Sequence, residues 1–283
     1  MIVSAGSAVE LALERARGFV EAKGSVLARE RFDALLGDDR SRRRVEAVLT
    51  AWRCADGGFA RLTLPSPVRP GAGTVAGALE ALGVLDEARI RRGPIVEGVA
   101  AWLGPAQGDD GAWRAPREEG LASEDADPIF LTGMLAGHLA KLPCGSPRTL
   151  ERAEAYLTSC FTPDLLETGD WRSLTAYTHL CSNGGGELAD EALQWCGRAL
   201  EKGLRSGRLR PLDAARALLV GDVRTLPGTL TDTQRVASDL LAEQEADGSF
   251  AAEGSTHDRV EATLLGARAL VRAMGRRAAW TPA

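Results

Sequence analysis

The sequence predicts an all-α fold built from stacked helix pairs, and two observations support this prediction. Alanine and leucine dominate the apolar segments, whereas the alternation of β-branched residues that is typical of strands extends nowhere over a useful length. A glycine turn also recurs between apolar helical segments at intervals of roughly 40 to 60 residues, which is the period of helix-pair repeats. At an average helix length, the 283 residues would form about twelve helices.

The chain begins with two amphipathic helical patterns that make up an N-terminal pair over residues 7–36. Repeats of one apolar helix, a glycine turn and a second apolar helix then extend over about 42–274. No linker rich in Ser, Gly or Pro interrupts the chain, so we expect a single domain over 1–274 and a short tail over 275–283. Five repeats and the N-terminal pair give six hairpins, the number in a closed (α/α)6 toroid.

The recurring turns share a glycine and, two positions later, a large apolar residue. They are Gly57 with Phe59, Gly111 with Trp113, Gly169 with Trp171, Gly207 with Leu209 and Gly248 with Phe250. We expect each glycine to supply the positive φ that ends a first helix at its C′ position. We expect each aromatic ring to fold back and bury a large surface against the following helix. Second helices are apolar on nearly all sides, which indicates inner, buried helices.

Two of these turns also carry a glutamine, and they resemble the QW-type repeat of the prenyltransferase and squalene-cyclase α/α toroids. They are Gln107-x-x-x-Gly111-x-Trp113 and Gln244-x-x-x-Gly248-x-Phe250. The resemblance covers about 42–274 and implies a single-domain member of that toroid group. This fold hosts terpenoid cyclases, protein prenyltransferase β subunits and non-catalytic relatives. The resemblance is therefore fairly specific for the fold and much less specific for the activity.

The resemblance also points to an acid. In class II terpenoid cyclases an Asp-x-Asp-Asp box supplies the proton that attacks an alkene or epoxide, and Asp125-Ala126-Asp127-Pro128 resembles it. It implies that Asp127 is the proton donor and Asp125 its modulator, although Pro128 makes the box incomplete. An aspartate before a proline is also a sufficient helix N-cap, so a purely structural role for Asp127 stays open.

Other residues are expected to complete the site. His257 and Asp258, at the head of the last inner helix, would support Asp127 if the ring brings them together; the alternative is a capping box over 255–258. The substrate pocket is expected to use four further side chains, Phe130, Met134, Trp171 and Tyr177. The N-termini of the inner helices and the loops over 60–73 and 114–124 share one rim, where a diphosphate or other anion would be favoured.

The sequence gives little reason to expect a metal or another macromolecule. The Asp-x-Cys pair with which protein prenyltransferases hold zinc does not occur, and His179 and Cys181 would point about 200° apart on a helix. We therefore expect no cofactor, with Mg²⁺ taking part only if the substrate is a diphosphate. A net charge of −5 argues against a nucleic-acid partner, and the basic runs at 40–44 and 89–92 are interpreted as solvated helix ends.

The cysteines and the apolar segments indicate the cellular compartment of the protein. Five cysteines without a Cys-x-x-Cys motif indicate reduced thiols and a cytoplasmic protein. We expect no membrane span and no signal peptide, because no apolar segment reaches about 18 residues and the N-terminus lacks a cleavage pattern. The oligomeric state stays open.

These observations favour a terpenoid-cyclase-like enzyme that catalyses an acid-initiated cyclisation or isomerisation of a small isoprenoid or related apolar substrate. Two alternatives remain: a non-catalytic toroid that binds an apolar ligand or a partner protein, and a protein that resembles a prenyltransferase β subunit.

Overall fold

The structure is a computed structural model that describes residues 5–62, 72–115, 127–168, 170–251 and 253–275. These residues form thirteen helices and, apart from two isolated β-bridges, no strand pairing. The helices are α1 (Ala5–Lys23), α2 (Val26–Leu35), α3 (Asp39–Thr50), α4 (Val75–Glu87), α5 (Pro94–Ala106), α6 (Pro128–Ala140), α7 (Pro147–Cys160), α8 (Pro163–Thr168), α9 (Trp171–Gly184), α10 (Ala189–Arg205), α11 (Pro211–Val220), α12 (Thr233–Glu243) and α13 (Thr256–Ala273).

Six helices form a closed inner ring in the order α2, α4, α6, α9, α11, α13, and α13 packs back against α2. Six others, α1, α3, α5, α7, α10 and α12, pack around the outside, and the short α8 packs against α10 and α9. The predicted all-α toroid is confirmed. Because the chain alternates between outer and inner helices, the inner helices all run in the same direction. The ring therefore has an N-terminal rim, where the inner helices begin, and a C-terminal rim, where they end.

The two glutamine-containing turns each follow an outer helix in the chain and contact a neighbouring outer helix. Gln107 is the C-cap residue of α5, and its Nε2 donates to the carbonyl oxygens of Gly111 at 2.8 Å and of Thr149, on α7, at 3.0 Å. The glutamine thus ends the outer helix, and the glycine lies four residues later in the turn. The expectation that the glycine occupies the C′ position is therefore wrong for this turn.

The last turn repeats the arrangement at the other end of the chain. Gln244 Nε2 donates to the carbonyl of Gly248 at 3.0 Å and to that of Ala12, on α1, at 2.9 Å. Helix α1 therefore packs against the last turn in the same way as α7 packs against the turn at Gln107. This contact joins the two ends of the chain around the outside of the ring.

Glycine is required in these turns for two reasons. Gly111 and Gly248 have φ values of 90° and 91°, which L side chains rarely adopt. A Cβ atom would also lie 2.2 Å from the carbonyl oxygen of Arg152 at Gly111, and 2.3 Å from that of Arg15 at Gly248. The turn thus touches the backbone of the next outer helix directly. Gly169, assigned to the third turn, lies outside the described residues.

Two of the turn aromatics, Trp113 and Phe250, are buried as expected and attach their turns to inner helices. Trp113 is fully buried, and Phe250 is nearly so. The backbone N–H of Trp113 donates to the hydroxyl of Thr132 on α6 at 3.0 Å, and that of Phe250 donates to the hydroxyl of Thr263 on α13 at 3.4 Å. Each turn therefore fixes two outer helices and one inner helix.

The inner helices α6 and α9 approach each other closely because α6 carries two glycines four residues apart. A Cβ atom at Gly133 would lie 2.5 Å from that of Ala176, and one at Gly137 would lie 2.3 Å from Cγ of His179. The close approach brings side chains of α6 and α9 together at both rims.

None of the five cysteines, all of which lie in the described part of the chain, forms a disulfide. Within the same residues, no helix combines the length and apolar character that crossing a bilayer demands.

The geometry of the second turn predicts the effect of two glycine substitutions. Gly111→Ala should lower the free energy of unfolding by at least about 2 kcal/mol, because alanine is strained at this φ and its Cβ would meet a backbone carbonyl. Gly104→Ala, in the helix α5 just before the turn, meets no atom within 4 Å. It should raise the free energy of unfolding by roughly 0.5–1 kcal/mol. Urea denaturation of both variants measures the difference, and equal values would contradict the assigned role of Gly111.

Candidate functional site

Asp127 stands at the N-terminal rim as the N-cap of α6. Its Oδ1 accepts a hydrogen bond from the backbone N–H of Ile129 at 2.9 Å, and Pro128 occupies the first helical position, as the sequence predicts. The residue is half-buried, and Oδ2 makes no hydrogen bond to the described residues. One carboxylate oxygen therefore caps the helix, and the other has no hydrogen-bond partner in the described part of the chain. Asp125 lies outside the described residues.

Three buried apolar side chains, Phe130, Met134 and Val220, form a cluster distinct from the main core, and Leu79 and Trp171 pack against both. We call these five residues, which come from four inner helices, the lumen patch. Phe130 and Met134 follow Asp127 by three and seven positions, so the acid heads the same stripe of α6. The rings of Phe130 and Trp171 meet edge to face, with centroids 5.5 Å apart.

Trp171 differs from the other turn aromatics because it begins an inner helix itself, after its N-cap Asp170. The guanidinium carbons of Arg172 and Arg216 lie 4.6 and 4.2 Å from the centroid of its ring. Guanidinium groups at such distances use the negative potential of the ring. Much of the π surface of Trp171 is thus already engaged by the protein.

Ion pairs occupy the other side of the ring's interior. Arg31 on α2 donates to both oxygens of Glu87 on α4, at 2.8 and 3.1 Å, and to both oxygens of Glu261 on α13, at 2.6 and 2.9 Å. We call this group the Arg31 clamp. The side chain of Glu261, on the inner helix α13, is 39 % exposed, whereas that of Arg31 is 8 % exposed.

A second carboxylate inside the ring holds a loop segment. Glu80 accepts a hydrogen bond from Arg61 Nε at 2.6 Å and another from the backbone N–H of Leu62 at 2.5 Å. Burial raises the pKa of Glu80, although Arg61 and the Leu62 N–H act in the opposite direction. The interior therefore combines an apolar side around α6 and α9 with a charged side around α2, α4 and α13.

Tyr177 does not face this interior. It is fully buried, its hydroxyl donates to the carbonyl of Leu157 on α7 at 2.8 Å, and its ring packs against Phe161 with centroids 5.4 Å apart. These contacts place it between α9 and the outer helix α7. The expectation that Tyr177 lines the substrate pocket is therefore corrected, because it faces the outer layer of helices.

His257 and Asp258 lie across the ring from Asp127. The ring order puts α13 opposite α6, which for neighbouring helices 8–10 Å apart means a separation of about 16–20 Å. Asp258 Oδ2 accepts from the backbone N–H of Ser255 at 3.0 Å and from its hydroxyl at 2.7 Å, which lowers the pKa of Asp258. These bonds confirm the capping box. The expected support of Asp127 by this pair is corrected, because the ring keeps them apart.

The C-terminal rim contains a cavity of about 800 Å³ that the sequence analysis did not predict. It lies at the ends of inner helices α2, α4, α11 and α13 and at the starts of outer helices α3 and α12. Its charged lining residues are Arg42, Asp86, Glu87, Arg89, Arg91, Lys141, Asp222, Arg224, Arg268 and Arg272. The basic runs at 40–44 and 89–92 were its signal in the sequence, although each looks like a solvated helix end when considered alone.

Asp86 organises the buried edge of this cavity. Its carboxylate accepts from Lys141 Nζ and from Arg268, both at 3.1 Å. Burial alone would raise the pKa of Asp86, but these two cations outweigh it and hold the pKa well below its usual range. The ion pairs join the ends of α4, α6 and α13.

Two buried histidines lie beside this group. His138 on α6 and His179 on α9 meet edge to face, with ring centroids 4.4 Å apart. His138 Nδ1 and both ring nitrogens of His179 have no hydrogen-bond partner among the described residues. Burial lowers the pKa of His138 to about 3 and that of His179 well below its usual value, although Asp86 acts in the opposite direction in both cases.

Within the described residues, no group of three or more His, Cys, Asp or Glu side chains is arranged to hold a metal ion. This finding does not test the expectation that Mg²⁺ takes part with a diphosphate substrate, because that ion would be held by the substrate as well.

Among known proteins, the fold of this chain is similar to that of a solved structure, whereas sequence comparisons find no match. No protein-family model matches the sequence, and no curated protein resembles it at a significant level. Among solved structures, the apo form of the type II terpene cyclase MstE from Scytonema is similar, with a TM-score of 0.60 and 13 % sequence identity. The match covers 95 % of this chain and 99 % of that chain. At this identity the likeness establishes the toroid fold alone.

The histidine pair predicts a pH dependence of stability. Both histidines hold a folded-state pKa below the unfolded value of 6.5, so the unfolded chain binds more protons as the pH falls through 6.5. The free energy of unfolding should therefore decrease from pH 6.5 down to about 3, the folded-state value of His138, by up to roughly 1.4 kcal/mol per pH unit for each histidine.

His179→Phe tests this assignment, because phenylalanine keeps an aromatic ring against His138 and removes two buried nitrogens without partners. Urea denaturation at several pH values should give about half the wild-type slope, with unchanged or higher stability at pH 7.5. An unchanged slope would show that other groups cause the pH dependence.

Proposed function

We propose that the chain is a terpenoid-cyclase-like enzyme that starts the cyclisation or isomerisation of a small isoprenoid, or a related apolar substrate, by protonating it at the N-terminal rim. Asp127 is the proposed acid. The observation that carries the proposal is the position of the lumen patch, whose residues Phe130 and Met134 continue the stripe of α6 that Asp127 begins. An acid beside an apolar surface fits a substrate whose reacting group is a carbon–carbon double bond.

The proposed step needs no cofactor. The protonated Oδ2 of Asp127 donates its proton to one carbon of the double bond, and the π electron pair forms the new C–H bond. The adjacent carbon becomes a cation, which a second double bond of the same molecule attacks in a cyclisation. Loss of a proton from a neighbouring carbon to the Asp127 carboxylate forms the final double bond and restores the acid.

The site imposes one requirement on this chemistry. The donor has to hold its proton until the double bond lies next to Oδ2. In this proposal an apolar substrate that covers the lumen patch excludes water from Oδ2, and Asp125 modulates the acid.

Two observations favour a second candidate, a toroid that binds an apolar ligand without transforming it. Guanidinium groups already engage the ring of Trp171, the largest aromatic ring of the lumen patch, so less of its π surface is left to stabilise a substrate cation. Capping of α6 also suffices to explain Asp127. The prenyltransferase alternative stays a prediction, which copurification with zinc and a helical partner chain would support.

Asp127→Asn separates catalysis from capping. Asparagine caps a helix about as well as aspartate, so the variant should keep its helical content and stability while losing at least about 100-fold in turnover. Asp232→Asn changes the equivalent cap of the outer helix α12, where Asp232 accepts from two backbone N–H groups. It should leave turnover unchanged. The assay incubates the enzyme with isoprenoid alcohols in D₂O and detects the deuterium that protonation adds to the product by mass spectrometry.

Met134→Ala distinguishes the two candidates further. If the lumen patch holds the substrate, this variant should bind the ligand several-fold more weakly, whereas Met274→Ala at the C-terminal rim should not. Deuterium incorporation that survives in Asp127→Asn would exclude Asp127 as the acid. Binding without any incorporation in the wild type would favour the non-catalytic toroid.

A further inference from the structure

The cavity at the C-terminal rim concentrates positive charge in a chain that is negative overall. Seven cationic and three acidic side chains line it, whereas the whole chain carries a net charge of −5. Cationic side chains are common near helix C-termini, where they interact with the helix dipole. Here they converge from several helices around one space of about 800 Å³, large enough for a small molecule.

The acidic residues of the cavity are already neutralised by ion pairs. Asp86 is held by Lys141 and Arg268, Asp222 by Arg272, and Glu87 belongs to the Arg31 clamp. By contrast, two of the arginines that line the cavity, Arg89 and Arg224, form no ion pair with any described residue. The charge left over on the described lining residues is therefore positive.

The backbone supplies an independent observation. In the described part of the chain, Arg89 and Asp222 are the two residues other than glycine with positive φ, at 56° and 54°. Both follow the end of an inner helix, in a position where glycine is strongly preferred, and both line this cavity. A residue other than glycine in this conformation generally costs stability, so its side chain is a candidate for a function that glycine could not provide.

We propose that the cavity at the C-terminal rim binds a small polyanion of the phosphate class, with a diphosphate group as its minimal ligand. Guanidinium groups donate paired hydrogen bonds that match the oxygen atoms of phosphate groups, and the cavity presents several of them from helices and from the loops after α4 and α11. Arg89 and Arg224 contact the anion directly, and Arg272 is held back by Asp222. The site lies about 20 Å from Asp127 along α6, so it does not depend on the proposed function.

Isothermal titration of the whole chain with inorganic pyrophosphate tests this proposal. Arg89→Gly removes a guanidinium group and at the same time relieves the backbone, so the variant should fold at least as well as the wild type. It should bind pyrophosphate roughly three- to tenfold more weakly. Asp222→Gly relieves the backbone in the same way but releases Arg272, and it should bind more tightly. Arg205→Gln, at the end of the outer helix α10 on the opposite rim, is the control and should not change the affinity.

Several results would overturn the proposal. They are the absence of pyrophosphate binding at millimolar concentration, equal losses in Arg89→Gly and Arg205→Gln, and weaker binding in Asp222→Gly. Density for soaked pyrophosphate at the N-terminal rim instead would also do so. Arg224→Gln provides a second test if Arg89→Gly does not fold. Geranyl diphosphate is titrated in parallel: equal affinity assigns the site to the phosphate groups alone, and tighter binding adds the prenyl chain to the ligand.

Discussion

The Arg31 clamp links three inner helices at the point where the ring closes. Helix α2 lies between α13 and α4, and Arg31 forms hydrogen bonds to one carboxylate on each of these neighbours. Burial disfavours the charged guanidinium, but Glu261 and Glu87 outweigh this effect and raise the pKa of Arg31 above its usual value. The contact joins residues 230 positions apart in the chain, so no local pattern could replace it. An open arrangement of the same helix pairs would lose the enclosed interior and both rims.

A closed ring of parallel inner helices gives its two rims different chemistry. The N-terminal rim has exposed N–H groups that need caps, and Asp127 serves as one of these caps above the lumen patch. The C-terminal rim attracts cations, which converge there on a cavity instead of dispersing in solvent. The same architecture thus supports an acid beside an apolar surface at one end and an anion site at the other. The Arg31 clamp and its charged neighbours lie between them.

The helix-pair repeats were predictable because their determinants are local, whereas the site depended on three-dimensional neighbours. Glutamine, glycine and aromatic residues occur within seven positions, and their contacts with the adjacent helices repeat at Gln107 and Gln244. Tyr177 could not be oriented from the sequence, because α9 is buried on nearly all sides and its faces look alike. The distance between His257 and Asp127 follows from the order of helices in the ring. The basic cavity draws its charges from segments far apart in the sequence, so no single run of residues indicated it.

The role of the Arg31 clamp is tested most directly by the stability of Arg31→Met, with Arg44→Met as the matched control. Arg44 also pairs with a glutamate, at 3.1 Å, but its side chain is 50 % exposed. Removing Arg31 leaves two carboxylates together inside the ring, so urea denaturation should show that the free energy of unfolding falls by roughly 3 kcal/mol. This value is near the lower limit for a buried pair, because Glu261 is partly exposed. Adding Glu261→Gln should restore part of that loss, while Arg44→Met should cost less than about 1 kcal/mol. Equal losses for the two arginine variants would contradict the role assigned to the clamp at the point where the ring closes.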